Sequence, residues 1–168
     1  MLAALNAVAP FDWREFFQQR VYAVNPRAPM GGIERGGWHL VYRDTPSDML
    51  KNTEAGKKAT DLSFSLGLSL KEDGAILDVI PGLPADRAGV GAGMKLAAVN
   101  NRRLKHELLR TAIKEARDGT APIELLVENG DVFKTCRLDY HEGERYPYLE
   151  RDPAKPDRLA EIVKPRSK

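Results

Sequence analysis

The sequence predicts a mainly β fold of the α+β class: a small sheet of about five strands with two helices, one short and one long, between helical and irregular flanks. Three observations predict it. Residues 61–140 hold short strand-like runs divided by turn residues. Glu128-Asn129-Gly130-Asp131 is a hairpin signal, because Asn-Gly accepts the positive φ of a two-residue turn. His106–Arg117 spaces its apolar residues as one face of a helix.

The elements follow in order. In a first segment, 1–60, Phe11 to Val21 reads as a helix with Trp13, Phe16 and Phe17 on its apolar stripe. Asp12 is its N-cap, with Glu15 three residues on. Pro26, Pro29, Gly31 and Gly32 then break regular structure. Gly37 to Tyr42 reads as a strand, and the polar stretch Thr45 to Thr60 as a loop or short helix.

The second segment, 61–140, carries the sheet. Leu62 to Leu70 is a strand, Lys71-Glu72-Asp73-Gly74 a turn, and Ala75 to Ile80 a second strand stopped by Pro81-Gly82. Pro84 to Gly89 is a short helix with Gly89 as its stop. Lys95 to Val99 is a strand that ends in Asn100-Asn101, a pair tolerant of left-handed backbone. The helix at His106–Arg117 continues a face of Leu104, Leu108, Leu109, Ala112, Ile113 and Ala116, and Gly119 closes it. Ile123 to Val127 and Val132 to Leu138 flank the hairpin turn. The third segment, 141–168, is charged and proline-rich, with a short helix at Asp157–Val163 whose Leu159, Ile162 and Val163 are expected to dock.

Composition narrows the function. Of 168 residues, 42% are apolar and 30% charged, as in ordinary soluble domains. A net charge of +2 gives no electrostatic case for nucleic acid. No apolar run approaches the roughly 20 residues of a membrane helix, and the apolar opening MLAALNAVAPF lacks the basic start of a signal peptide. The single cysteine, Cys136, excludes an internal disulfide and reads as a partly buried thiol in a strand.

The middle segment resembles a PDZ domain along its full length. Ser65-Leu66-Gly67-Leu68 sits where that family has its carboxylate-binding loop. Pro84-Ala85-Asp86-Arg87-Ala88-Gly89-Val90 resembles its P-A-x-x-A-G-L helix, and Lys95 to Asn101 its strand and turn. Ser65, Met94 and Asn101 depart from that pattern; Met94 stands where an Asp is usual and is expected to cost a turn hydrogen bond. The resemblance implies a small, partly open β-barrel. The flanks, ALNAVAPFDWREFF, PRAPMGGIERGGWHLVYRDTP and YPYLERDPAKPDRLAEIVKPR, resemble the C-terminal third of glycyl aminopeptidase-type metallopeptidases, which carry a PDZ domain after a thermolysin-like catalytic domain. This implies a remnant of the catalytic region at 1–60, a PDZ domain at 61–140 and a tail at 141–168, within a chain that starts inside a longer one. A free-standing PDZ adaptor for protein C-termini is the alternative; neither it nor an HtrA-type protease has a use for these flanks.

The zinc motif of such peptidases, H-E-x-x-H on one helix turn, is not met. His106-Glu107-Leu108-Leu109-Arg110 ends in a permanent cation that cannot ligate metal. His39 and His141 lie in other segments, no G-x-S-x-G occurs, and Gly89 to Gly93 lacks the Lys-Ser/Thr of a phosphate loop. The expectation is a chain without catalysis or cofactor, with zinc only in the parent's catalytic domain. Its candidate site is a peptide groove: Ser65, Leu66, Gly67, Leu68 and Ser69 as the carboxylate loop and its flank, faced by His106, Arg110 and Ile113. The resemblance gives a helix-start His a preference for Ser or Thr two residues before the peptide's end. The partner is then a peptide or protein C-terminus, or the parent catalytic domain. Equally open is a bulge at Gly67 with the groove filled by the protein itself.

Overall fold

The structure, a computed structural model, describes residues 1–25 and 28–165. Along the chain run α1 (Leu2–Val8), α2 (Trp13–Phe17) with a π-helical turn at Gln18–Tyr22, α3 (Gly31–Arg35), β1 (Trp38–Arg43), α4 (Asp48–Lys57) and β2 (Ala59–Leu62). There follow β3 (Leu68–Lys71), β4 (Ile76–Val79), α5 (Pro84–Arg87), β5 (Lys95–Val99), β6 (Arg102–Arg103) and α6 (His106–Arg117). β7 (Ile123–Asn129), β8 (Val132–Leu138), β9 (Tyr146–Arg151) and α7 (Arg158–Val163) complete it. The fold mixes helices and strands in the α+β class, as the sequence predicts. Its sheets are open, ordered β1-β9, β2-β3-β4 and β6-β5-β7-β8, and none closes into a barrel. Two compact units divide the chain: residues 1–39 with 150–168, and residues 40–149.

In the first unit, Asp12 caps α2 by accepting the Glu15 N–H at 2.9 Å. Phe11, Trp13, Phe16 and Phe17 meet edge to face, with centroids 5.2–6.0 Å apart. Pro26 lies outside the described residues; Gly31 and Gly32, read as breakers, open the short α3 instead. The tail is tied by polar groups. Asp157 accepts from Ala160 N–H at 2.9 Å and from Trp38 Nε1 at 3.0 Å. Asp152 N–H and Arg158 N–H donate to the Gly37 and Gly36 carbonyls. Of the three tail residues expected to dock, Leu159 is half-buried, whereas Ile162 and Val163 stay 78% and 72% exposed.

The second unit holds the core. Leu62, Leu68, Leu70 and Ile76 from one sheet, with Leu66 from the loop between β2 and β3, meet Leu96, Val99, Ile123, Leu125, Val127, Cys136 and Leu138 from the other. The buried face of α6, Leu109, Ala112, Ile113 and Ala116, belongs to the same cluster. Asn100 and Asn101 take left-handed backbone, φ 48° and 58°. Two expectations are corrected. The run Leu62–Leu70 is a hairpin: β2 and β3 pair antiparallel, Leu62 opposite Leu68 and Thr60 opposite Leu70. The reason is a tight turn in which the Leu62 carbonyl accepts the Ser65 N–H at 3.0 Å. Met94 does not lose its turn hydrogen bond: its Sδ accepts the Gly91 N–H at 3.3 Å, a weak acceptor where a carboxylate would be a strong one.

One pH effect follows from the C-terminal end of α6. His141 Nδ1 lies 2.7 Å from the Ala116 carbonyl and Nε2 3.0 Å from Asp139 Oδ1. The bond to Ala116, then Asp139, hold its pKa above the ordinary histidine value, against some desolvation. A raised folded-state pKa stabilises fully below the unfolded value and fades as pH rises through the folded one. His141→Gln is expected to lower the urea midpoint at about pH 5.5 and to match the parent near about pH 9. A deficit independent of pH would mean that protonation plays no part.

Candidate functional site

The site is the turn between β2 and β3, with α6 and α4. Ser63 to Gly67 form a loop whose donors converge on one atom: the N–H groups of Ser65 and Gly67 both reach the Leu62 carbonyl oxygen at 3.0 Å. Gly67 has φ +79°, a left-handed conformation that side chains with a Cβ rarely adopt. Its carbonyl accepts the Ile80 N–H at 2.8 Å, and the Leu66 carbonyl accepts the Ala85 N–H at 2.9 Å. The loop is thereby bolted to the segment that leads into α5. Converging backbone donors of this kind form an anion nest. Here the acceptor is the chain itself.

The remaining loop residues are inside. Leu66 and Leu68 are buried in the core. Ser65 is buried, and its Oγ accepts the Arg145 N–H at 3.0 Å. Ser69 sits on β3 opposite Asp61 of β2 and Asp78 of β4. β3 is therefore the middle strand of its sheet, and the edge an extended peptide would join carries β2. β2 runs antiparallel to β3 and ends at the nest, as a peptide entering with its C-terminus first would.

On α6, Ile113 is fully buried in the core, and the His106 side chain lies outside the described ones. Arg110 is the centre of an ionic cluster. Its Nη2 meets both oxygens of Glu54 at 2.8 and 2.9 Å, its Nη1 meets Glu144 Oε2 at 2.6 Å, and it also bonds the Tyr146 hydroxyl. Glu144 is 3% exposed, and Lys114 Nζ lies 3.8 Å from its other oxygen. Burial works to lower the Arg110 pKa, but Tyr146, Glu54 and Glu144 outweigh it and hold the pKa above its ordinary value. Burial, then the hydrogen bond to Glu144, push the Tyr146 hydroxyl well above the usual phenol range. Glu54 Oε1 accepts one more bond, from the Asp61 N–H of β2 at 2.7 Å. Glu54, Asp61, Glu144 and Tyr146 were not singled out from the sequence. Glu54, Glu144 and Tyr146 stand 34 to 56 residues from Arg110, and Asp61 seven from Glu54; no local helix or strand pattern marks such pairs.

The histidines, carboxylates and cysteine are placed as follows among the described residues. No group of three His, Cys, Asp or Glu is placed to hold an ion. His39 is spent on Asp152 at 3.1 Å, His141 on Ala116 and Asp139, and Arg110 on its carboxylates.

Neither a protein-family profile nor a curated protein matches the sequence. Among solved structures, an aminopeptidase N family protein from Idiomarina loihiensis matches 97% of this chain with a TM-score of 0.61 at 16% identity. The chain spans 28% of that protein's length. The HtrA3 PDZ domain bound to the phage-derived ligand FGRWV matches 70% of this chain and 96% of that domain at 17% identity, with a TM-score of 0.33, too low to carry an argument. This chain shares its fold, over nearly all its length, with part of an aminopeptidase N family protein.

Proposed function

We propose that this chain is the non-catalytic, PDZ-like region of a zinc metallo-aminopeptidase, serving in docking or in the regulation of proteolysis. One observation carries the reading: the match to the aminopeptidase N family protein extends over 97% of the chain, so that the flanks and the PDZ-like unit are matched together. Zinc and catalysis belong, on this reading, to the parent's catalytic domain. The groove is closed at rest, because β2 lies on β3 and Leu62 takes the nest's donors. That arrangement suits a structural or regulated element better than an adaptor with an open site.

Two measurements test it together. With zinc added, the purified chain is expected to hydrolyse no peptide substrate. Labelled peptides ending in a free apolar residue are expected to show no saturable binding. A dissociation constant near about 1 μM, worth about 8 kcal/mol, would favour the adaptor.

A further inference from the structure

We infer that β8 is an interface strand: it pairs antiparallel with β8 of a second copy of this chain, about a two-fold axis at Thr135, and so joins two four-stranded sheets into one. The surface belongs to the sheet that holds neither β2 nor β3, and the groove plays no part in it.

β8 is the outer strand of the sheet β6-β5-β7-β8. With seven residues it is the longest sheet edge among the described residues, against four in β2 and β4 and two in β6. Its pairing with β7 sets which of its backbone groups face outward. The N–H and C=O of Glu124 both bond Asn100, at 2.9 and 2.8 Å. Glu124 stands opposite Arg137, so this pair exchanges no ladder bonds, and the Arg137 N–H and C=O point away from β7. By the alternation of an antiparallel ladder, those of Thr135 and Phe133 do the same. No other segment bonds these groups among the described residues.

A free edge is usually blunted by a proline, a bulge or a lysine that would be stranded by pairing. β8 contains no proline and runs in register with β7 from Val132 to Leu138 without a shift. Its two cations are tied to their own chain. Lys134 Nζ donates to the Gly89 carbonyl at 3.3 Å, and Arg137 Nε donates to Glu124 Oε1 at 2.9 Å. Val132 and Phe133 are 64% and 62% exposed along the same strand.

The occupant is a second copy because β8 complements itself. Antiparallel pairing about Thr135 sets Thr135 opposite its own mate and Phe133 opposite Arg137, twice by symmetry. Each of these pairs makes both ladder bonds, since theirs are the outward groups. Arg137 of one copy then lies beside the Phe133 ring of the other, a cation against an aromatic ring. Glu124 stays behind it to balance the charge. The adjacent registers are poorer. Centred on Arg137, two guanidinium groups face each other, and like charges directly opposite are destabilising. Centred on Phe133, the turn residue Asp131 has to serve as strand, and the outward groups of Arg137 lose their partner.

An edge of this length buries less than the about 1,200 Å² of a standard interface, so the dimer is expected to be reversible. Sedimentation of the whole chain between about 5 and 500 μM is expected to pass from monomer to dimer. Amide exchange reads the register. At the high concentration Phe133, Thr135 and Arg137 should slow at least about threefold, while Lys134 and Cys136, already bonded to β7, should not. Thr135→Lys sets like charges directly opposite and is expected to weaken the dimer at least about tenfold. Thr135→Pro removes an outward donor, which an edge strand tolerates, and carries the test if Thr135→Lys does not fold. Thr135→Cys should cross-link to its own mate on oxidation, because opposed Cα atoms of such a pair stand about 5.5 Å apart. Phe133→Cys, also exposed but opposite Arg137, should do so at least about tenfold more slowly. A chain that stays monomeric at about 500 μM leaves the edge to a segment of another protein and overturns the pairing. A dimer unmoved by whichever of Thr135→Lys and Thr135→Pro folds, or Phe133→Cys cross-linking as fast as Thr135→Cys, overturns it as well.

Discussion

Gly67→Ala is expected to lower the stability of the 40–149 unit by about 3 kcal/mol, and Gly67→Val to leave it largely unfolded. Two costs add. The left-handed backbone at φ +79° disfavours any residue with a Cβ by about 1–2 kcal/mol. A Cβ built there would also stand 2.4 Å from the Leu83 Cβ and 2.9 Å from its Cδ1, and forced overpacking adds about 1–3 kcal/mol. The Leu83 Cβ is fixed to the backbone, so the leucine cannot swing clear by changing rotamer. The loop cannot retreat either, since its N–H and C=O groups are bonded to Leu62, Ile80 and Ala85. Gly82 is the control. It has the same φ of +79°, but nothing lies within 4 Å of its Cβ position. Gly82→Ala should therefore show the conformational cost alone, about 1–2 kcal/mol. Urea unfolding of both variants measures the difference. Equal losses would show that Leu83 yields and that the collision carries no weight.

Arg110→Met is expected to cost about 3–5 kcal/mol, because it leaves a buried carboxylate without its cation. Glu144 is 3% exposed and Glu54 12%. Neither can turn to water without dismantling its hydrogen bonds. Lys114 cannot take over, since it sits 3.8 Å from Glu144 and is itself 70% exposed. Adding Glu144→Gln to Arg110→Met should recover part of the loss by neutralising the stranded charge. A second arginine of the same helix sets the scale. Arg117 and Asp44, 3.8 Å apart and both more than half exposed, are expected to lose less than about 1 kcal/mol on Arg117→Met. Thermal unfolding of the three variants decides the matter. An Arg110→Met effect no larger than that of Arg117→Met would remove the cluster from the account of stability.

The sequence alone determined those elements whose causes lie within a few residues. The bounds of α6 at His106 and Arg117, the presence of a hairpin between β7 and β8, and the cap Asp12 follow from local periodicity, turn chemistry and i to i+3 hydrogen bonds; the turn itself is Gly130-Asp131, one residue beyond the Asn-Gly pair the sequence offers, because Asn129 pairs with Val132. The apolar face of α6 was legible for the same reason. Tertiary structure decided the rest. An apolar run from Leu62 to Leu70 suits one strand or two, and it becomes a hairpin because β3 has β4 on one edge and needs a partner on the other. Polarity at Glu54 and Glu144 suggests solvent. Their burial is tolerable only because Arg110, on a different element, arrives to neutralise both. Helix α1 and strand β9 carry weak local signals. Residues 65–69 and α6 could be named as the two sides of a groove from residues alone. Which chain lies between them could not. Periodicity states which face of a strand is apolar, while the occupant of its edge is chosen by backbone hydrogen bonds that any extended segment can make.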